Sequence, residues 1–192
     1  MRKPGTLFIV SAPSGTGKTT LCEELIKTSP NIMRSISMTT RQKRGGEVQG
    51  RDYFFVSKKE FRAKIKKKAF LEYAKVFDNY YGTPRLFVQR MLRSGRDVVL
   101  TIDVQGAMKL RRRVRKNAIF VFILPPSFSE LKKRLFKRST ENRSQIALRL
   151  AIARKELSYA RYYDYQIVND KVRNAFEKLT AIVTASRCKT VG

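Results

Sequence analysis

The chain has 192 residues, room for one domain or a domain with a small insert, and at 42% hydrophobic it is too apolar for a disordered tail while lacking a run long enough to span a membrane. It has two cysteines far apart, Cys22 and Cys188, and no histidine, which excludes a zinc site, a disulfide framework and a histidine-dependent triad. Lys and Arg total 42 against 15 Asp and Glu, a formal charge of +27 that attracts phosphorylated molecules, nucleic acid or anionic lipid without choosing among them.

The first apolar run, Leu7 to Val10, is too short for a signal-peptide core and reads as a strand buried on both faces. A glycine-bearing loop leads to a helix over Lys18 to Thr28, with Leu21, Leu25 and Ile26 at helical spacing and Pro30 closing it. Residues 35–83 change character, becoming dense in Thr, Gly, Arg and Tyr. Strand signals lie at Tyr53 to Val56 and around Phe70 to Phe77. Between them Ser57-Lys58-Lys59-Glu60 is a capping box opening a short basic helix with Phe61 and Ile65 on one face. This stretch reads as a small α/β insert.

Regular alternation then resumes. Thr83-Pro84 places a capping residue before a proline at the first helical position, and Gly95 suits the end of that helix. A strand at Val98 to Ile102, a helix over Gln105 to Arg115 and a strand at Ile119 to Leu124 follow. Ser127-Phe128-Ser129-Glu130, a second capping box, opens a helix to Arg138. The polar stretch Ser139 to Ser144 precedes a helix at Gln145 to Ala160, a strand at Gln166 to Val168 and a helix at Val172 to Ser186. Alternating strands and helices predict an α/β fold with a parallel sheet covered on both faces and a site at the strands' carboxyl ends.

Ala12-Pro13-Ser14-Gly15-Thr16-Gly17-Lys18-Thr19-Thr20 follows a strand and opens a helix, as a phosphate-binding loop must. Its glycines let backbone N–H groups turn onto phosphate oxygens, and the helix start adds partial positive charge. Lys18 can reach the β- and γ-phosphates, and the Thr19 hydroxyl can bind Mg²⁺. Ala12 replaces the first glycine of the motif, which works only at negative φ. Farther on, Arg41 and Arg44 in a Gly-rich segment, with Tyr53 beyond, can grip a second phosphate.

Together these segments resemble the guanylate kinases along nearly the whole chain. The resemblance rests on Ser11 to Thr20, Thr39-Thr40-Arg41 through Glu47, Asp52 to Phe55 and Phe70-Leu71-Glu72. It continues through Asn79 to Thr83, Ile102 to Gly106, Leu124 to Ser127 and Ile167 to Asp170, in order and with ordinary spacing. It implies a P-loop three-layer core (residues 1–34 and 84–192) with a helical lid at about 134–149, and a GMP-binding insert (35–83). It implies transfer of the γ-phosphoryl group of ATP to GMP with Mg²⁺; the two distant, unpartnered cysteines separately point to a reducing, cytoplasmic location.

Residue by residue, the resemblance implies that Arg41, Arg44, Tyr53 and Tyr81 hold the GMP phosphate, and that Glu47 belongs to the GMP-binding residues. Ser37, Glu72, Thr83 and Asp103 surround the guanine. A carboxylate at Glu72 accepts guanine's N1–H and N2–H₂ donors, whereas adenine has no donor at N1. Lys18, Arg134, Arg138 and Arg149 are the expected catalytic cations, and Asn169 the expected neighbour of adenine. Two departures stand out. Thr101-Ile102-Asp103 replaces the usual Asp-Ile-Asp, and the lid segment Ser139 to Ser144 holds few acids.

Two rivals come from other classes. A guanylate-kinase-like module that keeps the fold but binds phosphopeptides or partner proteins has no need of Lys18 and Gly17. A nucleic-acid-binding protein fits the charge, yet residues 1–96 hold 21 basic and 7 acidic side chains and residues 97–192 hold 21 and 8, a diffuse field without an arm or reader motif. No specific nucleic acid and no membrane are expected as partners.

Overall fold

The computed structural model describes residues 3–76, 78–114, 118–138 and 143–189, with the side chains of Arg138, Arg143 and Ser144 outside the description. Phe77, Arg115 and the lid stretch 139–142 fall outside it as well. In chain order the elements begin with β1 (Leu7–Ser11), α1 (Lys18–Thr28), β2 (Ile32–Arg34), β3 (Met38–Thr39) and β4 (Phe54–Phe55). Next come α2 (Lys58–Lys66), β5 (Phe70–Val76), β6 (Asn79–Pro84), α3 (Arg85–Arg93), β7 (Asp97–Thr101) and α4 (Val104–Val114). The chain ends with β8 (Ala118–Leu124), α5 (Phe128–Arg138), α6 (Arg143–Leu157), β9 (Tyr165–Val168) and α7 (Val172–Cys188).

The larger sheet is wholly parallel, in the order β2-β7-β1-β8-β9. Its strands are continuous apolar runs because both faces are covered. Leu7 and Ile9 join Val98, Leu100, Phe120 and Phe122 on one face, under Val88 of α3 and Ala107 and Leu110 of α4. Phe8 and Val10 join Val99, Val121 and Ile123 on the other, under Leu21 and Leu25 of α1 and Leu179 and Val183 of α7. Each of the Val, Leu, Ile and Phe side chains among them, fully buried, contributes about 1.5–3 kcal/mol. The carboxyl ends of β1 and β7 thus stand side by side at the edge where the phosphate loop begins.

The smaller sheet has the order β4-β3-β6-β5, with β3 parallel to β4 and antiparallel to β6, and β5 antiparallel to β6. Phe61 of α2 stacks on Phe70 with ring centroids 4.4 Å apart and on Tyr80 at 5.4 Å, which closes one side of this sheet. Strand β5 also packs on α4 and so connects the two sheets.

Several expectations shift by small amounts. Pro84 is itself the N-cap of α3, and Thr83 caps nothing: its hydroxyl donates to Glu72 at 2.7 Å. The two serine caps form, with Ser57 Oγ accepting from Glu60 N and Ser127 Oγ from Glu130 N, each at 3.0 Å. The glutamate side chains of the two boxes reach Lys64 and Arg134. The strand expected at Tyr53 to Val56 shrinks to Phe54–Phe55, while β2, β3 and β6 were not signalled. Ala12 keeps negative φ, since Lys68 is the one non-glycine described with positive φ.

Candidate functional site

The phosphate loop runs from β1 into α1. Gly15 and Gly17 hold φ of +89° and +90°, values a side chain resists, and these aim the loop inward. Thr16 pins the turn from inside, its N–H and hydroxyl both donating to the Pro13 carbonyl, the hydroxyl at 2.9 Å. Lys18 Nζ donates to the Ile102 carbonyl at 3.1 Å. Burial pushes its ammonium pKa below the usual lysine range, while Cys22, Asp103 and Glu156 pull it back up. Lys18 is therefore poorly solvated and ready to gain from an arriving phosphate.

Residues 12–20 of this loop line a cleft of about 470 Å³. Across it stand Ser37, Arg44, Tyr53, Glu72, Tyr81 and Asp103, with Arg149 and Glu156 from α6. The cleft joins two chemistries: backbone donors and Lys18 at one end, a buried carboxylate and an arginine with tyrosines at the other.

Glu72 is 7% exposed. Burial pushes its carboxyl up to about 7, against the Thr83 hydrogen bond, while the Asp103 charge raises it further and Lys109 lowers it. Helix α4 approaches closely because residue 106 is glycine, where a Cβ would stand 2.7 Å from Glu72 Oε2. Asp103 Oδ1 accepts from Gly106 N at 2.8 Å, so the α4 entry and the carboxylate pocket are one piece of architecture.

Not every expected residue faces the cleft. Arg41 is clasped by Glu47, at 2.6 and 3.0 Å, and lies 5.4 Å from the Tyr53 ring centroid. Glu47 also accepts from Arg44 N at 2.8 Å, and the Arg41 hydrogen bonds hold its carboxyl below the usual range. Glu47 thus orients the arginines. As an anion it is unsuited to touch a phosphate itself. Thr83 stands behind Glu72. Tyr53 and Tyr81 meet edge to face at 6.1 Å.

Asn169 and Arg134 also take other places here. Asn169 Nδ2 donates to the Thr16 carbonyl at 2.7 Å, locking the loop from beneath, and its side chain fills the space a Cβ at residue 17 would need. Arg134 bonds Glu130 at 3.1 Å and the Asn169 carbonyl at 3.4 Å, outside the cleft lining. The Arg138 side chain lies outside the described residues.

Glu156 was missed. Burial pushes its carboxyl up to about 7, with Lys18 opposing and Asp103 adding to the rise. Its signal was legible in principle: Arg149, Ile152 and Glu156 share a helix face by spacing, and Glu156 is the one acid among residues 143–163. Gly106 was missed as a spacing residue because it sits inside a helix, where glycine is normally only a weakness.

The sequence model of the family described as guanylate kinase matches residues 4–186. A guanylate kinase of Clostridium tetani is 50% identical over 185 residues, covering 96% of this chain and 88% of that one. A guanylate kinase of Caldanaerobacter subterraneus is 48% identical over 189 residues, covering 98% and 91%. Among solved structures, guanylate kinase from Anaplasma phagocytophilum superposes with a TM-score of 0.84 at 33% identity, covering 98% of this chain and 89% of that chain. Shikimate kinase from Bacteroides thetaiotaomicron, at 12% identity and a TM-score of 0.53 over 93% and 98% of the two chains, shares the fold alone. The chain belongs to the guanylate kinase family.

Proposed function

We propose that this chain transfers the γ-phosphoryl group of ATP to GMP, giving ADP and GDP, in the cleft described above. The observation that carries the reading is the joining, in one cavity, of the phosphate loop with the Glu72 carboxylate and the Arg44, Tyr53 and Tyr81 cluster. Residues 1–34 and 84–192 form the core with a lid at about 134–149, and residues 35–83 the GMP-binding insert.

The loop amides and Lys18 hold the donor phosphates. Arg44 and the two tyrosine hydroxyls hold the GMP phosphate, with Arg41 and Glu47 fixing Arg44 and the Tyr53 ring from behind. Glu72 accepts the guanine donors, assisted by Ser37, Thr83 and Asp103. The acceptor oxygen is already ionised, so the reaction needs no general base, consistent with a chain without histidine. Positioning and neutralisation of charge on the moving phosphoryl group carry the rate, with Lys18 and Arg149 at hand and Arg134 and Arg138 in the lid.

The donor set fits Mg²⁺. Thr19 offers one hydroxyl in the cleft and would hold the ion there, with phosphate oxygens and water supplying its other ligands, as this ion prefers. When bound, it would neutralise charge on the β- and γ-phosphates.

The test is an ADP-release assay with GMP, IMP, AMP and UMP as acceptors. GMP should be the best substrate, with IMP poor because it lacks the 2-amino donor. AMP as the best acceptor would overturn the assignment of Glu72, and a Lys18→Ala variant with near-normal turnover would overturn that of the loop.

A further inference from the structure

A second cavity, of about 620 Å³, opens where α4, β5 and the start of α3 meet. Five of its ten lining residues are basic, namely Lys68, Arg85, Lys109, Arg112 and Arg113, against 42 of 192 in the whole chain. Its one carboxylate, Glu72, is buried, and Oε1 is taken by Thr83. Among the described residues no carboxylate pairs with any of the five cations. Arg111, their neighbour on α4, makes the contrast: it points elsewhere, pairs with Asp164 at 3.1 Å and covers the Phe120 ring.

Helix spacing puts Lys109, Arg112 and Arg113 on one face, at i, i+3 and i+4. The other two cations occupy places that local preference disfavours. Lys68 holds φ of +52°, where glycine is the usual residue. Arg85 is the first residue of α3, the helix end that disfavours positive charge. Its guanidinium is held in place by two bonds to the Phe70 carbonyl, at 3.0 and 3.2 Å. Lys109 is held by the Tyr73 carbonyl at 2.9 Å, 5.5 Å from that ring's centroid. Two anchored cations and three unpaired ones around one concavity repel one another until an anion enters.

We propose that this cavity is a binding site for a compact phosphate-rich anion, of the size and charge of a triphosphate, separate from the phosphate loop. Dense charge and forked arginine donors match clustered phosphate oxygens better than a single carboxylate.

The test is calorimetry of inorganic tripolyphosphate on the full chain at low salt. Two classes of site are expected. A Lys68→Gln, Arg112→Gln, Arg113→Gln variant should lose one class, by ~10-fold or more in affinity for each charge-assisted contact removed. It should keep the parent's kcat and its KM for ATP and GMP. Lys18→Ala should lose the other class. A charge-matched variant on the opposite, α1 and α7 side, Lys27→Gln, Lys171→Gln, Lys178→Gln, should keep both. The proposal is overturned if the first triple variant binds like its parent, or if the control loses as much, which would make the effect bulk charge. Binding of a short single-stranded RNA at these residues with no binding of tripolyphosphate would also overturn it, in favour of a nucleic-acid surface. The single variant Arg112→Gln, at an exposed position, repeats the test should the triple variant fail to fold.

Discussion

Glu72 is pulled two ways. Burial favours its protonated form and raises its pKa to about 7 from an ordinary 4.5, whereas the guanine contact proposed for it needs the carboxylate. Because the folded pKa is raised, the stability linked to this group is fully present below pH 4.5 and is lost as pH rises through about 7, on the order of 3 kcal/mol at most. The empty protein should therefore melt at lower temperature at pH 8 than at pH 5.5. Part of that difference should vanish in Glu72→Gln, and a further part in Glu156→Gln. Over the same range kcat/KM for GMP should rise with pH in the parent. Glu72→Gln should cost roughly 10–100-fold for GMP, because its amide strands a guanine donor in a buried site, and should flatten the pH profile. IMP should lose less, having one donor fewer. An unchanged profile in the glutamine variant would mean another group sets the pH dependence. Gly106 supplies a second check on the same pocket. Gly106→Ala aims a methyl at Glu72 Oε2, 2.7 Å away, so it should raise KM for GMP several-fold and leave KM for ATP near the parent value. Equal damage to both would point to a shift of all of α4.

Helices α2 and α3 end alike yet with different residues. In both, two N–H groups reach back in a Schellman pattern: Lys68 to Ile65 and Ala69 to Lys64, then Gly95 to Leu92 and Arg96 to Met91. The left-handed position is Lys68, at +52°, in one and Gly95, at +78°, in the other. Lys68→Gly should thus raise stability by up to about 1 kcal/mol, and Gly95→Ala should lower it by about 1 kcal/mol, read from denaturant midpoints with unchanged slope. Helices were the legible elements, since spacing, serine caps and a glycine stop are all local signals. Strands β2, β3 and β6 were not legible. Two are only three and two residues long, and β6 carries Gly82 and Pro84, which usually argue against a strand. It is made a strand by pairing with β5 on one side and β3 on the other.

Across the whole molecule the charge of +27 is shared almost evenly between the halves. Such a field should bind RNA or DNA without sequence preference, and filter binding should show affinity collapsing as salt rises, with a steep log–log slope. Sequence-selective binding that survives high salt would require a dedicated nucleic-acid surface. The described residues contain no helix long and apolar enough to cross a membrane. The parallel core was determined by the sequence alone, because runs such as Leu7 to Val10 and Val98 to Leu100 are apolar at every position and need cover on both faces. So was the glycine-bearing loop from β1 into α1, whose residues are contiguous and whose shape lies in its own backbone. Which residues face the cleft was decided only by the tertiary structure. Arg41 and Glu47 stand apart in the sequence, and only folding clasps them to each other beside the cleft rather than in its lining. Asn169 lies far along the chain from the loop and reaches the Thr16 carbonyl only when β9 packs beside it, while Arg134 of α5 reaches the Asn169 carbonyl and not the loop. Glu156 and Gly106 are an ordinary helical acid and an ordinary helical weakness until folding brings Lys18 to the one and Glu72 to the other. Contacts between distant segments depend on how the sheets and helices stack, and no local spacing records that.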